Sequence, residues 1–249
     1  MSRPLESSEP GTDPVASSPA DSIEHWSDVV DDATRACWPK VTVATPASSM
    51  LMGGTALAMH LRHRRSRDLD VFVHERFEPE EVLDKLRREA LVAVDNIAAG
   101  TLNCNVDGVN VQFLWARDQT PLEQGHRVSG LCVGSLRDVA ATKLKVIGDR
   151  GELRDYYDLM RIETDSGVTM EAALRLYAGR YGVGLDHSSV PHIVQALGSF
   201  GDVADDPWLA DSVRGSDRAD ATLEAVQSYW TRRQPEIAHW LTAHMNRTS

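Results

Sequence analysis

Two aspartates separated by a single residue, Asp68 and Asp70, follow a glycine pair, Gly53-Gly54, by about the length of a short helix. Carboxylates at alternate positions of an extended segment project on the same face. Side by side they offer what Mg2+ takes from a protein, one or two hard oxygen ligands, with substrate phosphates completing the shell. The glycines suit the other half of that task. A Gly-Gly turn enters conformations closed to other residues, and its free backbone N–H groups can receive phosphate. The composite reads as a nucleotide-and-metal site.

The elements that must position these groups can be read outward from them. Leu51 and Met52 end a short apolar run, and Thr55 is expected to open an apolar-periodic helix reaching about position 63. The next strand alternates, placing Ser66, Asp68, Asp70 and Phe72 on one face and Arg67, Leu69, Val71 and Val73 on the other. Between helix and strand lies a basic run, Arg62, His63, Arg64, Arg65 and Arg67. Beside the aspartates it could hold a triphosphate or an RNA backbone, with Arg65 the expected nucleotide contact, or it could simply complement a helix end.

Upstream, residues 1–20 are rich in Ser, Pro, Glu and Asp and are expected to form a disordered tail. A helix capped by Asp21 or Ser22 should then run to about Trp38, where Pro39 stops it. Downstream, residues 80–90 read as an amphipathic helix, and 92–94 and 101–115 as strands, with Asp107-Gly108 marking a two-residue hairpin turn. A helix over 135–149 takes Ser135 as its cap. On its wheel Lys143 falls inside the apolar stripe of Leu136, Val139, Ala140, Leu144, Val146 and Ile147, whereas Lys145 falls opposite. A second helix over 154–162 turns Asp155 and Asp158 inward, so one buried polar cluster is expected. The alternative is a structural salt bridge of Lys143 with Asp155 or Asp158. Further helices are expected over 170–181, 190–200 and 219–244, the last interrupted near Pro235.

GGTALAMHLRHRRSRDLDVF resembles the signature of the nucleotidyltransferase superfamily, a glycine turn followed by Asp-x-Asp. More narrowly it resembles the AbiEii group of nucleotidyltransferase toxins, mycobacterial members included, through its His-Arg-x-Ser-x-Asp-Leu-Asp run. KLKVIGDRGELRDYYDL is similar to the same group, where a lysine on the helix after the sheet precedes Arg-Asp-x-x-Asp. The resemblance spans roughly residues 49–162. It implies a nucleotidyltransferase fold of class α/β (α+β), with a mixed-sheet core over 21–133 and a helical region over 134–249 that completes the cleft. Asp68, Asp70, Lys143 and Asp155 would be catalytic, and Gly53, Gly54, Thr55, Arg65, Ser66 and Asp158 would hold the nucleotide. Mg2+, with Mn2+ as alternative, would sit on Asp68 and Asp70. An NTP would be the substrate, RNA the acceptor, expected at the tRNA 3′ end, and an AbiEi-like or other cognate antitoxin the partner. Many nucleotidyltransferases carry a third carboxylate on a later strand, and Gln112 stands at that place. Its neutral amide favours one firmly held metal.

Composition bounds these readings. The net charge of -11 argues against bulk electrostatic capture of nucleic acid, but residues 1–40 hold eight acids against three bases and 201–220 hold six against two. The middle of the chain is therefore close to neutral. Three cysteines, far apart, fit reduced thiols in a cytoplasm, and no stretch is apolar enough to span a membrane. The alternatives are a same-fold enzyme acting on a small hydroxyl compound, a catalytically weak nucleotide-binding protein, and phosphoryl transfer to protein.

Overall fold

The computed structural model describes residues 25–213 and 215–248; the expected tail over 1–20 and the cap at Asp21 or Ser22 lie outside them. A mixed seven-stranded sheet in the order β3-β4-β5-β2-β1-β7-β6 forms the centre. Its strands are β1 (Ser49–Met52), β2 (Leu69–Val73), β3 (Val92–Ala98), β4 (Thr101–Val106), β5 (Val109–Trp115), β6 (His126–Val128) and β7 (Leu131–Val133). β1 pairs antiparallel with β2 and parallel with β7, while β2 pairs parallel with β5. The architecture is mixed α/β with a helical C-terminal half, as the sequence implies.

Nine helices accompany the sheet among the described residues: α1 (Asp32–Ala44), α2 (Gly53–Leu61), α3 (Pro79–Glu89), α4 (Leu136–Asp149), α5 (Leu153–Ser166), α6 (Met170–Tyr181), α7 (Ser189–Leu197), α8 (Pro207–Ser212) and α9 (Leu223–Thr248). α1 packs on α3, which covers β3 and β4; α2 packs against α4 and α5. One face of the central strands is thereby dry. Leu69, Val71, Val73, Val109, Val111 and Phe113 are all buried there. The opposite face carries the polar alternates, so the period-two pattern of β2 and β5 decides which side can hold a charged site.

Several boundaries differ from the sequence expectation. Trp26–Asp28 is only a short 3-10 turn, and the regular helix starts at Asp32, capped by Asp31 accepting the Thr34 N–H at 2.7 Å. Pro39 does not stop that helix. Its ring is exposed, so the Arg35 carbonyl it leaves unpaired can face water, while buried Trp38 and Val41 anchor the chain on both sides. Pro235 is likewise carried inside a continuous α9, exposed between buried Trp230 and Ile237. The Asp107-Gly108 hairpin forms as read, with φ of 50° and 91° at its two turn residues. The β6–β7 hairpin and α8 have no counterpart in the sequence reading, being three and six residues long.

Candidate active site

The helix α2 starts at Gly53 itself, earlier than the expected Thr55. Gly53 has φ +66°, a left-handed conformation, and a Cβ there would overlap the Asp70 carboxylate. A Cβ on Gly54 would lie 2.6 Å from Arg64 Nη2 and 3.4 Å from Ser66 Oγ. Each glycine thus admits a functional side chain to the helix N-terminus. No side chain caps that terminus, so its first N–H groups remain for an anion. Thr55 does not line the cleft. It is buried, donating its hydroxyl to the Asp68 carbonyl (2.5 Å) and sharing a 2.8 Å hydrogen bond with the Ser66 hydroxyl. Its place is beneath the site, fastening helix to strand, whereas Ser66 faces the cleft.

Asp68, Asp70 and Phe72 all point into the same cleft, as strand alternation requires. The register sets Asp70 directly beside Gln112, and Gln112 beside Asn103, in one row across three strands. Gln112 donates to Asn103 Oδ1 at 2.9 Å, and Asn110 donates to Asp68 Oδ1 at 3.1 Å. The place expected for a third carboxylate is therefore adjacent to Asp70 and holds an amide. Neither Asp68 nor Asp70 forms an ion pair among the described residues. Burial, followed by the like charge of Asp68, pushes the Asp70 carboxyl up to about 6. Lys143 and Arg154 only partly offset that rise, and two adjacent carboxylates without a direct ion pair fit a divalent ion that borrows its other oxygens from substrate. Among the described residues no group of three or more His, Cys, Asp or Glu that could hold a metal ion lies together.

Opposite them, α4 and α5 bring the expected polar cluster together. Lys143 Nζ lies 2.8 Å from Asp155 Oδ1 and 2.7 Å from Asp158 Oδ2, and is only 6% exposed. Both pairings proposed as a structural salt bridge exist, yet Lys143 and Asp155 also line the cleft. Asp158 lies behind them, fully buried, receiving Arg64 Nε at 2.7 Å, Arg64 Nη2 at 2.8 Å and His63 Nε2 at 2.8 Å. Burial alone would raise its carboxyl, but Arg64 and Lys143, with the hydrogen bonds of Arg64 and His63, hold it well below the usual carboxylate range. Burial depresses His63, overcoming Asp158, so the neutral ring donates its Nε2–H to that carboxylate. For Lys143 the balance falls the other way: Asp155 and Asp158 outweigh desolvation and keep the ammonium charged. Asp155 serves α5 as well, accepting the Glu152 N–H at 3.2 Å in a capping box.

The cleft holds about 310 Å³. The structure gathers Gly53, Gly54, Ser66, Asp68, Asp70, Lys143 and Asp155 around it. It leaves Asp158 and Thr55 beneath and Arg65 outside. Arg65 is exposed on the far side of the loop, its N–H bonded to the Ser212 carbonyl at 3.0 Å, and the arginine that lines the cleft is Arg64. The reason is local: α2 ends with Arg62 in the left-handed conformation at φ 55°, after which His63 and Arg64 turn inward. Trp208, Arg150, Arg154 and Asn110 also line the cleft and were not expected there. Their signals were present but weak, an Asp-Pro-Trp helix start for Trp208 and the outward alternation of β5 for Asn110.

Residues 44–113 match the family described as Nucleotidyl transferase AbiEii toxin, Type IV TA system. An uncharacterized protein of Aquifex aeolicus is 28% identical over 139 residues, a match covering 53% of this chain and 65% of that protein's length. Among solved structures, a candidate nucleotidyltransferase of Helicobacter pylori is similar at TM-score 0.49 and 14% identity, covering 86% of this chain and 98% of its own. MenT4, a nucleotidyltransferase toxin of Mycobacterium tuberculosis, is similar at TM-score 0.41 and 16% identity, covering 91% of this chain and 90% of its own. The resemblance carried by the glycine turn and the Asp-x-Asp strand is thus borne out: residues 44–113 match the AbiEii nucleotidyl transferase toxin family.

Proposed function

We propose that this chain is a nucleotidyltransferase toxin that moves a nucleotide from an NTP to an acceptor hydroxyl on RNA. The observation that carries the reading is one cleft in which an uncapped helix N-terminus, two adjacent carboxylates outside any direct ion pair and a buried lysine converge. The acceptor oxygen forms a bond to the α-phosphorus, the bond to the β-phosphate oxygen breaks, and pyrophosphate leaves, while the acceptor proton passes to a cleft carboxylate or water. Gly53, Gly54, Ser66 and Lys143 hold phosphate oxygens and keep the reacting groups in line. Asp68 and Asp70 would hold Mg2+ or Mn2+, whose chemistry is to neutralise charge developing on the phosphates. Asp155 and Asp158 keep Lys143 charged and fixed.

The description of the matched family, a toxin of a type IV system, supports growth inhibition in the cytoplasm and a cognate antitoxin of AbiEi type. Among the described residues no helix is long and apolar enough to cross a membrane. Arg150 and Arg154 line one wall of the cleft as donors for a phosphate backbone, which suits an RNA end, with the tRNA 3′ terminus as the expected acceptor. The test is incubation of the protein with each labelled NTP, Mg2+ and total RNA. Label should enter a tRNA-sized species with wild type and not with Asp68→Ala. Label in no RNA, at concentrations where NTP binds, would overturn the acceptor assignment.

A further inference from the structure

We infer that Trp208 is the platform on which the base of the incoming nucleotide stacks, an inference that rests on the nucleotidyltransferase reading of the cleft. A nucleotide needs two unlike surfaces, one for phosphate and one for a flat π system. The glycine turn and Lys143 satisfy the first. For the second, the cleft lining offers two aromatic rings, and Phe72 is only 8% exposed. Trp208 is the wide, half-buried ring that remains.

That ring is held in place from three directions. Asp206 caps α8, its Oδ1 accepting the N–H of Trp208 at 3.1 Å and of Leu209 at 3.3 Å. Leu209, the next residue, is fully buried, and Ser212 at the end of α8 accepts the Arg65 N–H at 3.0 Å. The Arg67 guanidinium lies 4.5 Å from the indole centroid, and that of Arg64 lies at 6.0 Å. Arg67 sits between the cleft-facing Ser66 and Asp68, so the same strand lead-in that presents the carboxylates also braces the ring. A core tryptophan would be enclosed; this one is fixed at the rim with part of its surface left to the cleft. Preorganisation of that kind makes a stacking surface effective, because less freedom is lost on binding.

Every base has a π face, so stacking on Trp208 strengthens binding of all four nucleotides, purines more than pyrimidines, without selecting one. Trp208 lies outside residues 44–113, so the base side of the pocket comes from the helical half of the chain.

The experiment is calorimetric titration of the full chain with each NTP and, separately, with inorganic triphosphate, in Mg2+ and without acceptor. Trp208→Ala should weaken NTP binding by roughly 5- to 150-fold, the effect of losing one base–aromatic stack. Triphosphate binding should stay unchanged, and Trp208→Phe should recover most of the loss. Trp208→Leu keeps apolar bulk on α8 and should show the same loss if the alanine variant folds poorly. NTP affinity equal to wild type in the leucine or alanine variant overturns the inference alone, as does an equal loss for triphosphate. A wild-type protein that binds neither NTP nor triphosphate overturns the nucleotidyltransferase reading, and the stacking role with it.

Discussion

Asp70→Asn should make the metal-free protein more stable while abolishing its activity. In the folded chain the Asp70 carboxyl moves from its ordinary 3.8 to about 6, first through burial and then through Asp68. Between those values the native state holds a proton that the unfolded state has lost, so stability falls as pH rises through this window and stays low above it. At about 1.36 kcal/mol per pH unit, ionising Asp70 costs the fold about 3 kcal/mol. A cleft open to water and counter-ions trims this to about 1–3 kcal/mol. Asparagine matches the shape of aspartate and removes the cost. The assay is thermal unfolding in EDTA at pH 8 and pH 4. The variant should gain roughly 2–10 °C at pH 8, scaled for a chain of this size, and little at pH 4, where native Asp70 is already neutral. Excess Mg2+ should narrow the difference by stabilising wild type alone. A gain equal at both pH values, or no gain at pH 8, would refute the argument that burial and Asp68 outweigh Lys143 and Arg154 at this carboxylate.

The affinity of the metal-free protein for Mg2+ should weaken as pH falls through about 6, because the cation must then displace the Asp70 proton; an affinity flat from pH 8 to 5 would contradict this. Lys143→Met should lower the rate by orders of magnitude, whereas Lys145→Ala, which breaks only an exposed pair with Asp149, should change rate and melting point little. Comparable rates in the two variants would remove Lys143 from the site. Asp158→Asn should destabilise the fold by about 3–5 kcal/mol, since Arg64 and Lys143 would remain buried without their shared carboxylate; denaturant titration decides it. Gly53→Ala should impair both folding and metal binding, because its Cβ meets the Asp70 carboxylate at a left-handed φ; normal metal affinity in a folded variant would count against the close approach.

The parts of this site that were legible in the sequence are those governed by local periodicity. Strand alternation put Asp68 and Asp70 on one face, and the helical wheel turned Lys143 inward and Lys145 outward, as observed. The Asp107-Gly108 hairpin needed only its turn residues. What escaped was set by contacts distant in sequence. Arg64 rather than Arg65 enters the cleft because Asp158, 94 residues away, receives its guanidinium. Trp208 lies in a short helix that the sequence reading did not place, and only the packed tertiary structure brings it to the cleft. Pro39 and Pro235 misled for the opposite reason: a local rule was overridden by buried neighbours on either side.

The Asp158 hub also bears on how the molecule can be made. His63 and Arg64 are synthesised 95 and 94 residues before the carboxylate that receives them. While the nascent chain still ends within the sheet, these groups have no anion to enter an apolar interior with, and the loop bearing them stays in water. The loop and Lys143 therefore gain the carboxylate they share only once α5 has been made. A translation product interrupted before α5 would carry the glycine turn, Asp68 and Asp70 without the carboxylate that holds Arg64 and Lys143 in place.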